Sequence, residues 1–193
     1  MDTKLTGKTR IESDLIGARE IPAEALYGVQ TLRGIENFSI SKFRLSEYPL
    51  FIKGLAITKM AAAMANFELG LLTVEQKDAI IAACGEILDG KHHDQFPVDM
   101  IQGGAGTTTN MNANEVIANR ALELMGHQRG DYQHLHPHQD VNLSQSTNDV
   151  YPTALKLAAY FGISRLREAM AHLRLAFADR AEAFADVLKM GRT

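Results

Sequence analysis

Residues 149–189, DVYPTALKLAAYFGISRLREAMAHLRLAFADRAEAFADVLK, form the longest periodic segment of the chain. Only Gly162 interrupts this segment as a glycine, and no proline follows Pro152. Apolar or small residues recur in it at alternating steps of three and four, namely Leu155, Ala159, Gly162, Leu166, Ala169, Leu173, Phe177, Ala181, Phe184 and Leu188. Such spacing is typical of a helix in a coiled coil or a long helical bundle. At ~1.5 Å per residue, about 40 residues would form a rod of ~60 Å.

Shorter helices are predicted between residues 49 and 125. The first begins at Pro49 and ends near Gly70, the second begins at the capping-box sequence Thr73–Gln76 and stops at Gly90, and the third runs from about Asn110 to Met125. Residues 1–48 predict an irregular arm with a hairpin and one short helix. Helices of about 15 to 20 residues cannot cover the apolar stripe of a rod of ~60 Å. We therefore expect other chains, or further sequence, to cover it.

Composition and charge exclude several classes of protein. The chain has 46% apolar and 22% charged residues, which is ordinary for a soluble domain and excludes a disordered or collagen-like chain. With 20 basic and 23 acidic residues, the net charge of −3 argues against a charge-driven nucleic-acid binder. The single cysteine, Cys84, excludes an intrachain disulfide and lies on an apolar helix face, where core packing is expected.

Signals for secretion and membrane insertion are not predicted. The first residues contain no apolar segment of the kind that a secretory signal needs. The most apolar stretch, residues 54–67, contains Lys59 and is short for a bilayer span. These observations predict a cytoplasmic protein without a membrane partner.

Two predicted helix starts share one chemical design. Gly103, Gly104 and Gly106 precede one of them, and residues 144–148, SQSTN, precede the other. Free backbone amides and the positive end of the dipole make a helix start suitable for an anion. Glycines allow close approach, and threonine, serine and asparagine add neutral hydrogen bonds. Two such starts facing one cleft would suit a small dicarboxylate, although each alone could be a plain helix cap.

Histidines offer a second candidate site. His134, His136 and His138 alternate near Asp140, and the pair at residues 92–93 stands beside an aspartate. Alternating histidines can bind a metal, but Pro137 and the polar surroundings favour a solvated loop. We therefore predict neither a metal nor a cofactor, and keep a metal-binding protein as an alternative.

Several segments resemble conserved segments of the fumarase/aspartase superfamily. The two strongest are residues 102–119, QGGAGTTTNMNANEVIAN, and residues 141–153, VNLSQSTNDVYPT. Residues 14–23, DLIGAREIPA, and 27–31, YGVQT, match as well, and residues 189–193, KMGRT, look like the start of a further family segment. The resemblance covers essentially the whole chain. The GGAGT form and residues 124–130, LMGHQRG, look more like the aspartase branch than the fumarase branch, whereas His136-Pro137 resembles a fumarase loop.

The resemblance implies a fold and an oligomer. The fold class is mainly α, with a family-like N-terminal domain at residues 1–145 and the first long helix of a central helical bundle at residues 146–193. In the family this bundle assembles a homotetramer whose active sites draw segments from three subunits. The chain then corresponds to the N-terminal part of such an enzyme.

The resemblance also implies a reaction, the reversible elimination of ammonia from L-aspartate to give fumarate. By motif position, the substrate carboxylates and amino group would contact Thr107, Ser146, Thr147, Asn148 and Thr193. The general-base serine of the family lies on a loop motif that these 193 residues do not contain, so no catalytic residue is assigned. The chain alone is therefore expected to be inactive. A fumarate hydratase acting on malate, or a non-catalytic helical oligomerisation module, are the alternatives.

Overall fold

The computed structural model describes residues 7–192, and these are mainly helical, as predicted. Strands β1 (Thr9–Asp14) and β2 (Gly17–Pro22) form an antiparallel hairpin in which Thr9 pairs with Pro22 and Asp14 with Gly17. The α-helices of the described residues are α1 (Val29–Asn37), α2 (Pro49–Glu68), α3 (Val74–Leu88), α4 (Thr107–Leu124) and α5 (Thr147–Ala183). Predicted residue Thr193 lies outside the described residues. The hairpin and the one short helix of the arm are confirmed.

The chain divides into two compact units between Ala158 and Ala159. The first contains the hairpin, helices α1 to α4 and the beginning of α5. Its core consists mainly of side chains from α2, α3 and α4, among them Ile52, Leu55, Ile80, Ile117 and Leu122. The boundary predicted at residues 145 and 146 stays a prediction.

Helix α2 is the apolar helix at the centre of this core. It has 20 residues, and among the described residues it alone is long and apolar enough to cross a membrane, so the argument that this segment is too short was wrong. Its packing against α3 and α4 accounts for the apolar composition, because Phe51, Ile52 and Leu55 are buried there. Gly54 lets the helix approach the backbone carbonyl of Ala154 in the first turns of α5, where a Cβ atom would clash. The first unit therefore fixes the start of α5 against α2.

Helix α3 begins with the predicted capping box. The Thr73 hydroxyl accepts a hydrogen bond from the Gln76 amide at 3.2 Å, and the Gln76 side chain accepts one from the Thr73 amide at 3.1 Å. Cys84 on this helix is fully buried, and burial raises the pKa of its thiol to about 12. The prediction that Cys84 packs in the core is confirmed.

Two helix ends differ from the sequence-based expectation. Helix α4 begins at Thr107 rather than near Asn110, so the threonines form its first turn. Helix α5 ends at Ala183 rather than at Lys189. From Ala185 the backbone hydrogen bonds span three residues: the Ala185 amide donates to the Glu182 carbonyl at 3.2 Å, and the Val187 amide donates to the Phe184 carbonyl at 3.0 Å.

The second unit contains most of the predicted apolar seam. The large apolar side chains of the seam in this unit are at least half exposed in this chain, as the values for Leu166 (58%), Leu173 (57%) and Phe177 (68%) show. Isolated helices gain most of their stability from packing of one apolar face. The seam accordingly provides a large unburied apolar surface on the second unit.

Candidate functional site

The start of α4 is shaped by glycines. Gly106 precedes the helix with a φ of 92°, a left-handed conformation in which a side chain is strained, and a Cβ atom there would clash with the Tyr151 ring. Gln102 closes the turn, because its side-chain carbonyl accepts from the Thr109 amide at 2.9 Å. Within the described residues, the amides of Thr107 and Thr108 donate no hydrogen bond. The first turn of α4 thus keeps two donors for a ligand or for water.

The start of α5 lies beside it. The Ser146 hydroxyl accepts from the Asn148 amide at 3.2 Å, so Ser146 caps the helix. A plain helix cap was the alternative to an anion site that the sequence left open. The Thr147 hydroxyl accepts from the Asn110 side-chain amide of α4 at 3.0 Å. This bond joins the two helix starts that the sequence singled out.

An open cleft of about 490 Å³ lies where the glycine loop meets α5. Its walls are Met100, Ile101, Gln102, Gly104, Ala105, Gly106, Asn148, Tyr151 and Pro152. None of these side chains carries a charge, so an anion in the cleft would meet amide donors rather than a cationic side chain. Neutral donors of this kind suit the recognition of a carboxylate at a helix start.

The structure does not bring all predicted residues to this cleft. Asn148 lines it, whereas Thr107 lines a second cavity of about 440 Å³ together with Arg33, Asn37 and Thr108. Ser146 is exposed and Thr147 is half-buried at the helix start. Whether these residues bind a substrate remains a prediction.

A buried lysine beneath the helix starts is the residue that sequence reasoning missed. Lys59 of α2 is fully buried, and its Nζ donates to the Asn142 side-chain oxygen at 2.8 Å. The same oxygen accepts from the side-chain amides of Asn110 at 3.0 Å and Asn114 at 3.2 Å. Among the described residues Lys59 has no carboxylate partner, and burial lowers its pKa to about 7. A lysine inside the most apolar stretch of the sequence was the available signal, because such a residue is seldom buried without a role.

The connection from Lys59 to the start of α5 is continuous. Asn142 bridges Lys59 to Asn110, and Asn110 bonds Thr147. Proton or charge changes at Lys59 can therefore alter the hydrogen bonding at the start of α5.

Two of the histidines considered from the sequence make contacts within the chain. The Nδ1 atom of His136 accepts from the amides of His138 at 3.0 Å and Gln139 at 3.1 Å, which caps a π-helical turn at Pro137–Val141. His92 contacts Glu86 at 2.8 Å. These contacts occupy the Nδ1 atom of His136 and the Nε2 atom of His92.

Comparison with known proteins places these features in context. A family model described as lyase matches residues 17–193. The aspartate ammonia-lyase of Helicobacter pylori strain J99 is 60% identical over 184 residues, which cover 95% of this chain and 39% of that enzyme. The chain thus spans about two fifths of the length of this relative.

Solved structures show the same fold. The crystal structure of fumarate lyase:delta crystallin from Brucella melitensis in native form superposes with a TM-score of 0.93 at 53% identity, over 96% of this chain and 43% of that chain. A class II fumarase from Schistosoma mansoni superposes with a TM-score of 0.89 at 35% identity, over 96% and 39% of the two chains.

Proposed function

This chain belongs to the lyase family and the fumarase/aspartase superfamily, and we propose that it supplies part of the substrate site of an enzyme that eliminates ammonia from L-aspartate. The observation that carries the proposal is the pair of helix starts joined by Asn110 and Thr147, with two unpaired amides at the start of α4 and an uncharged cleft next to both starts. In the reverse direction the same enzyme would add ammonia to fumarate.

The reaction needs donors where negative charge develops. A base removes a proton from the carbon beside the β-carboxylate, the electron pair moves into that carboxylate, and the C–N bond then breaks to release ammonia. Donors placed at the developing charge supply a large share of such catalysis. We assign this role to Thr107, Ser146, Thr147, Asn148 and Thr193, together with the free amides at the start of α4. The base itself is assigned to sequence that this chain does not contain.

Lys59 supports the same chemistry from below. Its charge lies under the two helix starts and reaches Thr147 through Asn142 and Asn110. A cation in a low-dielectric interior acts on a bound anion over a longer distance than a cation in water does. Lys59 is thus proposed as a residue that strengthens carboxylate binding without contacting the ligand.

The assembly proposed for the full-length protein is a homotetramer in the cytoplasm. The exposed apolar side chains of the second unit supply a surface suited to helix-to-helix packing between subunits. Size-exclusion chromatography with light scattering tests the assembly, and a monomeric full-length protein would contradict it.

A chimera tests the reaction. The 184 matched residues of this chain replace the corresponding part of the Helicobacter pylori enzyme, and fumarate formation from L-aspartate is followed by absorbance. We expect an active chimera and an inactive 193-residue chain. A chimera that folds and assembles but releases no fumarate would contradict the proposal. Fumarate formation by the 193-residue chain alone would contradict the view that it lacks the base.

The second candidate is hydration of fumarate to malate, because the Schistosoma mansoni fumarase shares the fold. The same chimera is unsuited to this question, since its remaining residues come from an ammonia-lyase. A second chimera with the Schistosoma mansoni fumarase, assayed on malate and on aspartate, separates the two. The 60% identity to the ammonia-lyase against 35% to the fumarase favours aspartate. Two folded but inactive chimeras would favour the non-catalytic oligomerisation module.

A further inference from the structure

Three side chains with metal-binding atoms meet just after the end of α4. The ligand atoms of His127, Asp131 and His134 all lie within 4.8 Å of one another. His127 Nδ1 is 4.0 Å from Asp131 Oδ2, and His134 Nε2 is 3.7 Å from the same oxygen. We propose that these three side chains bind one divalent transition-metal ion, such as Zn²⁺, Co²⁺ or Ni²⁺.

The separations suit a shared ion. Metal–nitrogen and metal–oxygen bonds of about 2.0 to 2.2 Å place two ligands of one ion roughly 3 to 4 Å apart. The separations of the two histidines from Asp131 lie near the upper end of this range, and the two histidine nitrogens lie within 4.8 Å of each other. For the two histidine–aspartate pairs, binding requires a contraction of a few tenths of an ångström.

The rings need one adjustment. The imidazoles of His127 and His134 stack with centroids 3.8 Å apart and planes 7° from parallel. An ion must lie near the plane of each imidazole that binds it, so at least one ring has to turn. His134 is exposed, and its Nε2 atom is 3.3 Å from the Gln133 side-chain amide, a contact that must be given up. Rotation of an exposed side chain is a small cost beside a metal–nitrogen bond.

The loop that carries the ligands is held in place. The His127 amide donates to the Leu122 carbonyl at 2.9 Å, and the His134 amide donates to the Asp131 carbonyl at 3.1 Å. Between them, the Gly130 amide donates to the Asn119 side chain at 2.8 Å, and Leu135 is fully buried next to His134. A fixed backbone lowers the entropy that ligand ordering would otherwise cost.

The location also favours a cation. His127 follows the last turn of α4, where the helix dipole places a partial negative charge. Asp131 adds a carboxylate oxygen that lies within 4.0 Å of a nitrogen of each imidazole. The set of two histidines and one carboxylate matches ions that accept nitrogen, whereas Mg²⁺ prefers six oxygen ligands. This chemistry predicts selectivity for the transition metals.

Titration calorimetry of the 193-residue chain with Zn²⁺ tests the proposal. We expect one ion per chain, and no binding of Mg²⁺ under the same conditions. Replacing the exposed His134 in His134→Ala should weaken Zn²⁺ binding at least tenfold. The matched control is His172→Ala, which removes an exposed histidine of α5 and should leave binding unchanged.

Further variants and spectroscopic measurements distinguish the loss of a metal ligand from misfolding. Asp131→Asn removes the shared oxygen charge and should weaken binding as well, while His134→Cys keeps a metal ligand and should restore part of it. Circular dichroism shows whether each variant remains helical. The visible absorption of bound Co²⁺ should change in His134→Ala and not in His172→Ala. Absence of one-to-one binding, or binding that all these variants retain, would overturn the proposal.

Discussion

The start of α1 and the starts of α4 and α5 use the same backbone property in opposite ways. At α1 the chain supplies its own carboxylates: Glu115 accepts from the amides of Gly28 at 2.8 Å, Gln30 at 2.8 Å and Thr31 at 3.0 Å. Glu12 adds a bond from the Val29 amide at 3.0 Å. At α4 the amides of Thr107 and Thr108 have no partner among the described residues. These two residues line a cavity that also contains Arg33 and Glu36, while the adjacent cleft has uncharged walls.

This difference separates folding from binding. A helix start filled by a buried carboxylate of the same chain is satisfied permanently and fixes the position of α1. A helix start with free amides can accept a carboxylate from outside. Asp149 stands in the first turn of α5, but its carboxylate accepts no hydrogen bond in the part of the chain that the structure describes. We therefore predict that a carboxylate of the ligand takes the place at α4 and α5 that Glu115 takes at α1.

Lys59, which lies beneath the starts of α4 and α5, gives the largest expected effect, and this effect is a change of stability with pH. Burial lowers its pKa from 10.5 to about 7, so between these values the unfolded chain holds one more proton than the folded chain. The free energy of unfolding of the wild type therefore gains up to about 1.4 kcal/mol per pH unit from pH 7 towards pH 10, relative to Lys59→Met. Urea unfolding of both proteins at several pH values measures the difference.

The control for this experiment is Lys156→Met, which removes an exposed lysine of α5. The difference in the free energy of unfolding between Lys156→Met and the wild type should stay nearly constant with pH. If Lys59→Met behaves in the same way, Lys59 does not lose its proton in the folded protein, and the charge beneath the helix starts is solvated or paired.

Removing the carboxylate at the start of α1 should have the next largest effect on stability. Glu115→Ala removes the acceptor of three amides, of which those of Gly28 and Thr31 are buried, and of the Thr31 hydroxyl, which donates to it at 2.6 Å. A buried donor without a partner costs about 1 to 3 kcal/mol, so the free energy of unfolding should fall by about 3 kcal/mol or more. Chemical denaturation at neutral pH measures it.

Glu115→Gln is the matched control, because it keeps a carbonyl acceptor without the charge. Burial raises the pKa of Glu115 to about 7, so the folded state retains a proton that the unfolded state has lost between pH 4.5 and 7. Stability should therefore decline from pH 4.5 to 7 in the wild type, and this part of the decline should vanish in Glu115→Gln. A loss below 1 kcal/mol in Glu115→Ala would mean that water replaces the carboxylate at no cost.

Gly106 tests whether the start of α4 depends on its glycine loop. In Gly106→Ala the methyl group meets the Tyr151 ring and the backbone keeps a φ of 92°. Left-handed backbone costs roughly 1 to 2 kcal/mol and overpacking about 1 to 3 kcal/mol, so we expect a loss of about 2 to 4 kcal/mol. Gly104→Ala has a similar φ of 71° but only a loose contact with Thr107 at 3.9 Å, and should lose about 1 kcal/mol.

Equal losses in these two variants would show that the Tyr151 ring moves freely. That outcome would also mean that the wall of the cleft is not fixed by packing.

The sequence predicted elements with local signals and missed what depends on distant partners. The capping box of α3 lies within four residues, and the structure confirms it. The partner of Lys59 lies 83 residues away, so its burial could be seen only as a break in an apolar stretch. The orientation of Thr107 was unpredictable for a similar reason: Gly34 of α1 packs against Thr108 and places this turn beside the second cavity.

Asn148 should have the smallest effect on stability and still matter for binding. Its side chain is exposed in the wall of the cleft, so Asn148→Ala should change the free energy of unfolding by no more than about 0.5 kcal/mol. If it donates to the developing carboxylate charge, kcat/KM for L-aspartate in the Helicobacter pylori chimera should fall about 100-fold. The neighbouring exposed Thr153, replaced in Thr153→Ala, is the control and should leave both quantities unchanged. A stable Asn148→Ala chimera with full activity would remove Asn148 from the site, and the open starts of α4 and α5 would then depend on backbone amides alone.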